Sequence, residues 1–240
     1  MIAILGQTQD DILYFTAKMR IERTEDVFGK VKAYFGHLFA DEVVLAAVGE
    51  GNETTAMVSA VLIDRYDPYL IFNIGTCASF QRELRQGDIL IADRVYLSSV
   101  DFSKEYPLSY GQLPGESPFF VGDLRLSDKA ERESYLVSSR YIQRGYLLSA
   151  SSFFAEKEEI DSILRPHFLT QEALKAYDSG SGGILLAASQ KKVPVVSIKS
   201  VAYELGNLEQ RLNFRRKGLE AMPTIGKIVS RTLLDQGENL

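Results

Sequence analysis

The chain has 240 residues, 45% of them hydrophobic, and a formal net charge of −5. That length suits one α/β domain, that apolar content excludes a disordered chain, and Lys and Arg are too scattered for a nucleic-acid surface, which needs basic clustering. A single cysteine, Cys77, excludes an internal disulfide and fits a reducing compartment.

The opening MIAILGQTQ starts a strand at once, with no basic flank and no cleavage site, so no leader peptide is expected. No apolar run reaches the roughly 18 residues of a membrane span. A cytoplasmic protein without membrane contact is therefore expected.

Short apolar runs predict buried strands at 2–5, 42–48, 69–75, 88–97, 146–151 and 193–200. Helical patterns lie between them: 8–19 after the first strand, 53–66 between the second and third, and 183–192 before the last. The segment 31–39 stands close before 42–48 and reads as the other half of an antiparallel hairpin. Strands alternating with helices predict an α/β fold, a single domain over 1–240 with a mixed, mostly parallel central sheet flanked by helices. The stretch 207–236 has helical spacing with a break near Pro223. Segment 100–123 is long, aromatic and rich in Pro and Gly, as functional loops and interface arms are. Its Phe102, Tyr106, Tyr110, Phe119 and Phe120 are costly to leave in water, and an isologous homodimer would bury them.

In open α/β sheets ligands bind beyond the carboxyl ends of the strands, here residues 6–11, 49–53, 75–80, 149–154, 178–183 and 199–204. GEGNET lacks the third glycine of a dinucleotide fingerprint, and DSGSGG (178–183) lacks the Gly-Lys-Ser/Thr of a P-loop. A weak anion site where that glycine run opens a helix stays open. His37 and His167 have no carboxylate or cysteine at ligand spacing, so no metal is expected, and nothing calls for a cofactor.

The ordered set VGEGNETTAMVSAVLI, FNIGTCASF, GDILIAD, YGQLPG, LLSASSFF and VPVVSIKSVAYE resembles the 5′-methylthioadenosine/S-adenosylhomocysteine nucleosidases of the purine nucleoside phosphorylase superfamily, over nearly the whole chain. The resemblance implies a nucleoside phosphorylase-like fold and hydrolysis of the N-glycosidic bond to adenine. That reaction needs an acid near the purine, a carboxylate to position water and a carboxylate to hold the ribose hydroxyls.

By the resemblance, Asp11 stands at the water-positioning acid but is one methylene shorter, and a misplacement of about 1 Å can cost around 100-fold. Gly180, preceded by Ser179, stands where the family carries the ribose-holding Glu of a Met-Glu pair. Asp178 would substitute only if the loop shifts. Tyr203 stands at the proton-donating Asp, with Glu204 next, and Lys199 replaces an Arg whose planar fork it cannot reproduce. A phenol stays protonated at pH 7 and can donate a hydrogen bond, while Glu204 could act if burial raised its pKa. Thr76 keeps a hydroxyl of the family pattern, and Phe153 keeps the purine-stacking aromatic or is simply core. The expected function is a purine nucleosidase acting on adenine nucleosides such as methylthioadenosine or S-adenosylhomocysteine, with reduced activity. Its small-molecule partner is then a purine nucleoside or adenine. The alternative is a catalytically inactive protein of the same fold that binds adenine or its nucleosides. A phosphorolytic enzyme is the weakest reading, because GQTQDD offers no Arg to phosphate.

Overall fold

The computed structural model describes residues 1–234 apart from 39, 82, 155 and 169–171, and without the side chain of 215. The strands are β1 (Ile2–Gly6), β2 (Arg20–Phe28), β3 (Val31–Leu38), β4 (Asp41–Ala47), β5 (Leu70–Ser79), β6 (Ile89–Leu97), β7 (Phe120–Val121), β8 (Ile142–Ser149), β9 (Leu174–Asp178) and β10 (Val195–Glu204). The helices are α1 (Gln9–Lys18), α2 (Asn52–Tyr66), α3 (Leu124–Val137), α4 (Lys157–His167), α5 (Ser181–Lys191), α6 (Leu208–Leu212), α7 (Phe214–Leu219) and α8 (Met222–Leu234).

All the strands join one mixed sheet, in the order β10-β6-β8-β9-β5-β1-β4-β3-β2, with β7 on β6. β10 also pairs with β5, so β5, β10, β6, β8 and β9 form a closed ring, and β1 to β4 extend from it as an open wing. The α/β class and the 31–39 with 42–48 hairpin are as expected: β3 runs antiparallel to β4 from Ala33 opposite Ala46 to Leu38 opposite Asp41. Phe39, the last residue of that expected strand, lies outside the described residues.

Two expected strands end too early in the sequence reading. The runs at 69–75 and 193–200 continue as β5 to Ser79 and as β10 to Glu204, so 75–80 and 199–204 are largely strand rather than loop. The extension has a topological cause. β5 and β10 pair in parallel from Ile71 with Val195 to Ser79 with Glu204, and β9 returns antiparallel onto Ala78 and Ser79 to close the ring. The 207–236 stretch divides into α6, α7 and α8. Pro223 sits in the first turn of α8, where a missing N–H costs nothing, and the break falls before it. Residues 235 and 236 lie outside the described part.

The core has three parts. One lies under α2 and α5, around Val58, Leu62, Ile184 and Leu185. Another lies under α1, α3 and α8, around Phe15, Phe72, Leu126 and Ile225. The third, with Phe80, Tyr96, Tyr177 and Tyr203, fills the carboxyl mouth of the ring. In the 100–123 arm, Phe120 is buried in β7, Phe119 packs on Tyr96 at 5.2 Å and Tyr110 stacks on His167 at 3.8 Å. Phe102 and Tyr106 alone of the five stay exposed, at 40% and 50%. Among the described residues, no helix is long and apolar enough to cross a membrane.

Candidate active site

The ends of β1, β5, β9 and β10 meet the start of α1 and the helix α7 around a cavity of about 230 Å³. Its lining has a polar side, with Gln7, Thr8, Asp11, Asp178 and Ser179, and an aromatic side, with Phe153, Tyr177, Tyr203 and Phe214. Thr76, Cys77 and Ala78 of β5 line the wall as well.

The polar side begins with the cap of α1. Thr8 and Asp11 form a capping box, in which the Thr8 side chain accepts from the Asp11 N–H. Asp11 Oδ2 accepts from the N–H groups of Gln7 (3.1 Å) and Thr8 (2.8 Å) and from the Thr8 hydroxyl (3.0 Å). Among the described residues, no donor bonds its Oδ1. Gly75 makes this fit possible. Its φ is +136°, and a Cβ there would stand 3.2 Å from the Asp11 carboxyl carbon. Burial pushes the Asp11 carboxyl above the ordinary range, opposed by the Thr8 amide and by the positive charge of Lys199.

Asp178 ends β9 and is enclosed. Its Oδ1 accepts from the Ser149 hydroxyl (3.0 Å) and the N–H groups of Gly180 (3.3 Å) and Ser181 (3.1 Å). Its Oδ2 accepts from Gln7 Nε2 (3.0 Å) and the Ser181 hydroxyl, and pairs with Lys199 Nζ at 3.2 Å. Both charged side chains are buried, with Lys199 0% and Asp178 1% exposed. Lys199 also donates to Asn73 Oδ1 (2.8 Å) and to the Ile74 carbonyl (3.1 Å). Lys199 is thus not among the cavity-lining residues but stands behind Asp178.

The glycine run has a packing explanation. The N–H groups of Gly182 and Gly183 donate to Ser149 Oγ (2.9 Å) and Asn52 Oδ1 (3.2 Å). With those of Gly180 and Ser181 on Asp178, the first turn of α5 has no N–H left for an anion, which removes the weak anion site that the run suggested. A Cβ on Gly183 would stand 2.0 Å from the Asn52 carbonyl oxygen, so glycine lets α5 cross close to α2. Gly180 has an extended φ of −166° that any residue adopts. The space beside it is filled, since a Cβ would meet Thr55 Cγ2 at 2.7 Å and Gln7 at 3.2 Å.

On the aromatic side, a register shift between Val201 and Tyr203 marks a bulge in β10, and both Ala202 and Tyr203 line the cavity. The Tyr203 hydroxyl lies 2.8 Å from that of Tyr177 and 3.1 Å from the Phe154 carbonyl. Tyr177 also donates to that carbonyl at 2.8 Å and accepts from the Phe154 N–H at 2.9 Å. Burial raises the pKa of both phenols, so they stay protonated. Phe153 packs 6.1 Å from Tyr203 and 6.5 Å from Phe214 and is 59% exposed, at the lip rather than in the core.

The cavity thus gathers Asp11, Thr76, Phe153, Asp178, Ser179 and Tyr203 from the expected residues. Glu204 is elsewhere: it is not in the lining, and its Oε1 accepts from Gln210 Nε2 (3.1 Å) and the Gln86 N–H (3.4 Å). Gly180 is also absent from the lining. Tyr177 and Phe214 were not anticipated, because one lies on an unread strand and the other on a helix with no motif. Gln7 fell inside the flagged 6–11 stretch without a role.

Comparison with known proteins places this architecture. A family model described as the phosphorylase superfamily matches residues 1–233. The fold is that of the 5′-methylthioadenosine/S-adenosylhomocysteine nucleosidase from Neisseria meningitidis in complex with methylthio-immucillin-A. The TM-score is 0.86 and the identity 23%, over 96% of this chain and 97% of that one. It is also that of the Colwellia psychrerythraea nucleosidase in complex with adenine, with a TM-score of 0.86 and 22% identity over 96% and 93%. The fold and cavity therefore define a protein of the phosphorylase superfamily. In sequence, the nucleosidase of Listeria innocua is 30% identical over 217 residues, 89% of this chain and 90% of that protein. That of Bacillus thuringiensis is 27% identical over 213 residues, 89% of each. The chain belongs to the 5′-methylthioadenosine/S-adenosylhomocysteine nucleosidase family.

Proposed function

We propose that this protein hydrolyses the N-glycosidic bond of adenine nucleosides of the methylthioadenosine and S-adenosylhomocysteine kind. The observation that carries the reading is a cavity with a carboxylate oxygen, Asp11 Oδ1, bonded by no donor among the described residues, across from a cluster of aromatic rings, in a chain 30% identical to such a nucleosidase. A purine lies against Phe153 and the Tyr203 edge. Ionised Asp11 orients a water toward C1′. As the bond from C1′ to N9 breaks, its electron pair moves onto the purine while the water's oxygen bonds to C1′ and its proton passes to Asp11; the Tyr203 hydroxyl turns its proton from the Phe154 carbonyl toward the ring as charge develops, and the purine takes up a proton from solvent. Tyr203 takes this role in preference to Glu204, which is turned to Gln86 and Gln210. Asp178 and Lys199 stiffen the sugar side, and Thr76 and Ser179 offer neutral hydroxyls there.

Incubating the protein with methylthioadenosine in phosphate-free buffer and separating the products by chromatography tests the reading. Adenine and the free methylthioribose are expected. Release only when phosphate is added would replace hydrolysis by phosphorolysis.

The reading includes a cytoplasmic location, which the single buried cysteine supports, and a homodimer. The dimer rests on fewer residues than the sequence suggested, since only Phe102 and Tyr106 of the arm expose much ring surface. Sedimentation at micromolar concentration should show about twice the 26.8 kDa chain mass, and a monomer alone would refute the dimer.

A further inference from the structure

The charge of the cavity is unbalanced. Its described lining holds the carboxylates of Asp10, Asp11, Glu50 and Asp178 and no Lys, Arg or His. Among the described residues, Asp178 alone of these acids is paired, with the Lys199 ammonium behind it at 3.2 Å. Asp11 is buried, at 3% exposure, and its Oδ1 has no donor among the described residues. Asp10 precedes it in the first turn of α1, and Glu50 stands in the turn between β4 and α2. That turn is fastened to the polar side on both flanks of Glu50. The Gly49 N–H donates to the Gln7 carbonyl at 3.0 Å, and the Gly51 N–H to the Ser179 carbonyl at 2.6 Å. Asp10 and Glu50 are both exposed, so they mark the solvent edge of the polar side. Neither has a hydrogen bond or an ion pair among the described residues.

From this we infer that the cavity selects adenine nucleosides whose 5′ end carries a positive charge, an ammonium or sulfonium group, over neutral ones, and neutral ones over those that end in an anion. The inference rests on the nucleosidase reading for its placement of the nucleoside. The flat base takes the aromatic side and C1′ the place beside Asp11. The far end of the sugar then leaves along the polar side, past Asp10 and Glu50. A cation there meets carboxylates that no lining residue neutralises. An anion meets like charges, and the Arg or Lys that would hold a phosphate is missing from the described lining. The start of α5 does not replace them, because its N–H groups are taken by Asp178, Ser149 and Asn52. Solvent and salt screen the two exposed acids, so the preference is moderate. One exposed ion pair amounts to about 1.4- to 5-fold in affinity.

The experiment compares kcat/KM for 5′-amino-5′-deoxyadenosine, 5′-deoxyadenosine and adenosine 5′-phosphate, followed as adenine release at neutral pH and low salt. The expected order is ammonium over neutral over phosphate, with about threefold or more in the first step. That first ratio should shrink toward one as salt rises from about 0.01 M to about 1 M, where the screening length falls from about 30 Å to about 3 Å. In the double variant Asp10→Asn, Glu50→Gln it should fall by about threefold or more, and because both amides still accept hydrogen bonds the fall reads charge. An equal or reversed order of the amine and the neutral nucleoside in the wild-type protein overturns the inference. So does a preference that salt leaves unmoved, which would belong to fit or hydrogen bonding, or one that the folded double variant keeps. If the nucleosides bind in calorimetry and none releases adenine, the nucleosidase reading fails, and the order of the Kd values decides the inference by the same margin of about threefold. If neither they nor adenine bind, both fall.

Discussion

Asp11 and the pair of Asp178 and Lys199 divide the work of charge in the cavity. Burial holds the Asp11 carboxyl above the 3.8 of an ordinary aspartate. Its proton is thus bound more tightly in the folded chain than in the unfolded one. The corresponding stability is fully present below pH 3.8 and is lost as pH rises through the raised value. In the proposed reaction activity runs the other way, because the water is oriented by the ionised form. A plot of kcat/KM against pH should therefore fall on its acid side with a midpoint above 3.8. An acid limb at or below that value would show that Asp11 is not the group. Lys199 is a positioning residue. Lys199→Met leaves Asp178 buried and unpaired, which should cost about 3–5 kcal/mol and lower Tm by roughly 10 °C in scanning calorimetry. A change within the about 0.5 kcal/mol of a surface substitution would mean that Asp178 is held without it.

At the scale of elements, the crossing of α2 and α5 fixes the polar side of the cavity. Gly183→Ala puts a methyl 2.0 Å from the Asn52 carbonyl oxygen, a backbone atom that cannot swing aside. The helices must part, at a cost of about 1–3 kcal/mol, read as a lower midpoint in urea with an unchanged m value. An unaffected midpoint would show that the crossing is loose. The sequence disclosed elements whose period survives in the residues. The continuous apolar runs of β1, β4, β5 and β6 were visible for that reason. β2 was not, because its RIERTEDVF is an edge strand with charges on its exposed face. α3 was not, because its buried positions are Leu126, Ser127, Ala130 and Ser134, with one large apolar side chain among them. The lengths of β5 and β10 depend on ring closure, a partner effect with no local signal. The same holds in the site. Asp11 lies in the first turn of the helix after β1, at a strand end that topology marks in advance, whereas Gln7 meets Asp178 across 171 residues of chain. Glu204 follows Tyr203 directly in sequence, and only the bulge and the pleat decide which of the two faces the cavity.

For the whole molecule, the ring of β5, β10, β6, β8 and β9 supplies rigid walls, and the wing carried by β1 brings Asp11 to its mouth. At Gly180 a Cβ would meet the Thr55 methyl at 2.7 Å and Gln7 at 3.2 Å, so a larger residue there needs those two side chains to shift. In the proposed reaction the water is oriented by Asp11, whose Oδ2 is held by the α1 cap. The decisive measurement is the rate of adenine release from methylthioadenosine by the wild-type protein and by Asp11→Asn, side by side, with calorimetry of adenine on both. Asn keeps an acceptor for the α1 cap and removes the charge. Adenine should bind both proteins alike, while release should fall by about 10²–10⁴ in the variant, the range for a positioned acid–base group. Equal rates in the two proteins would contradict the account and move the water to another part of the cavity.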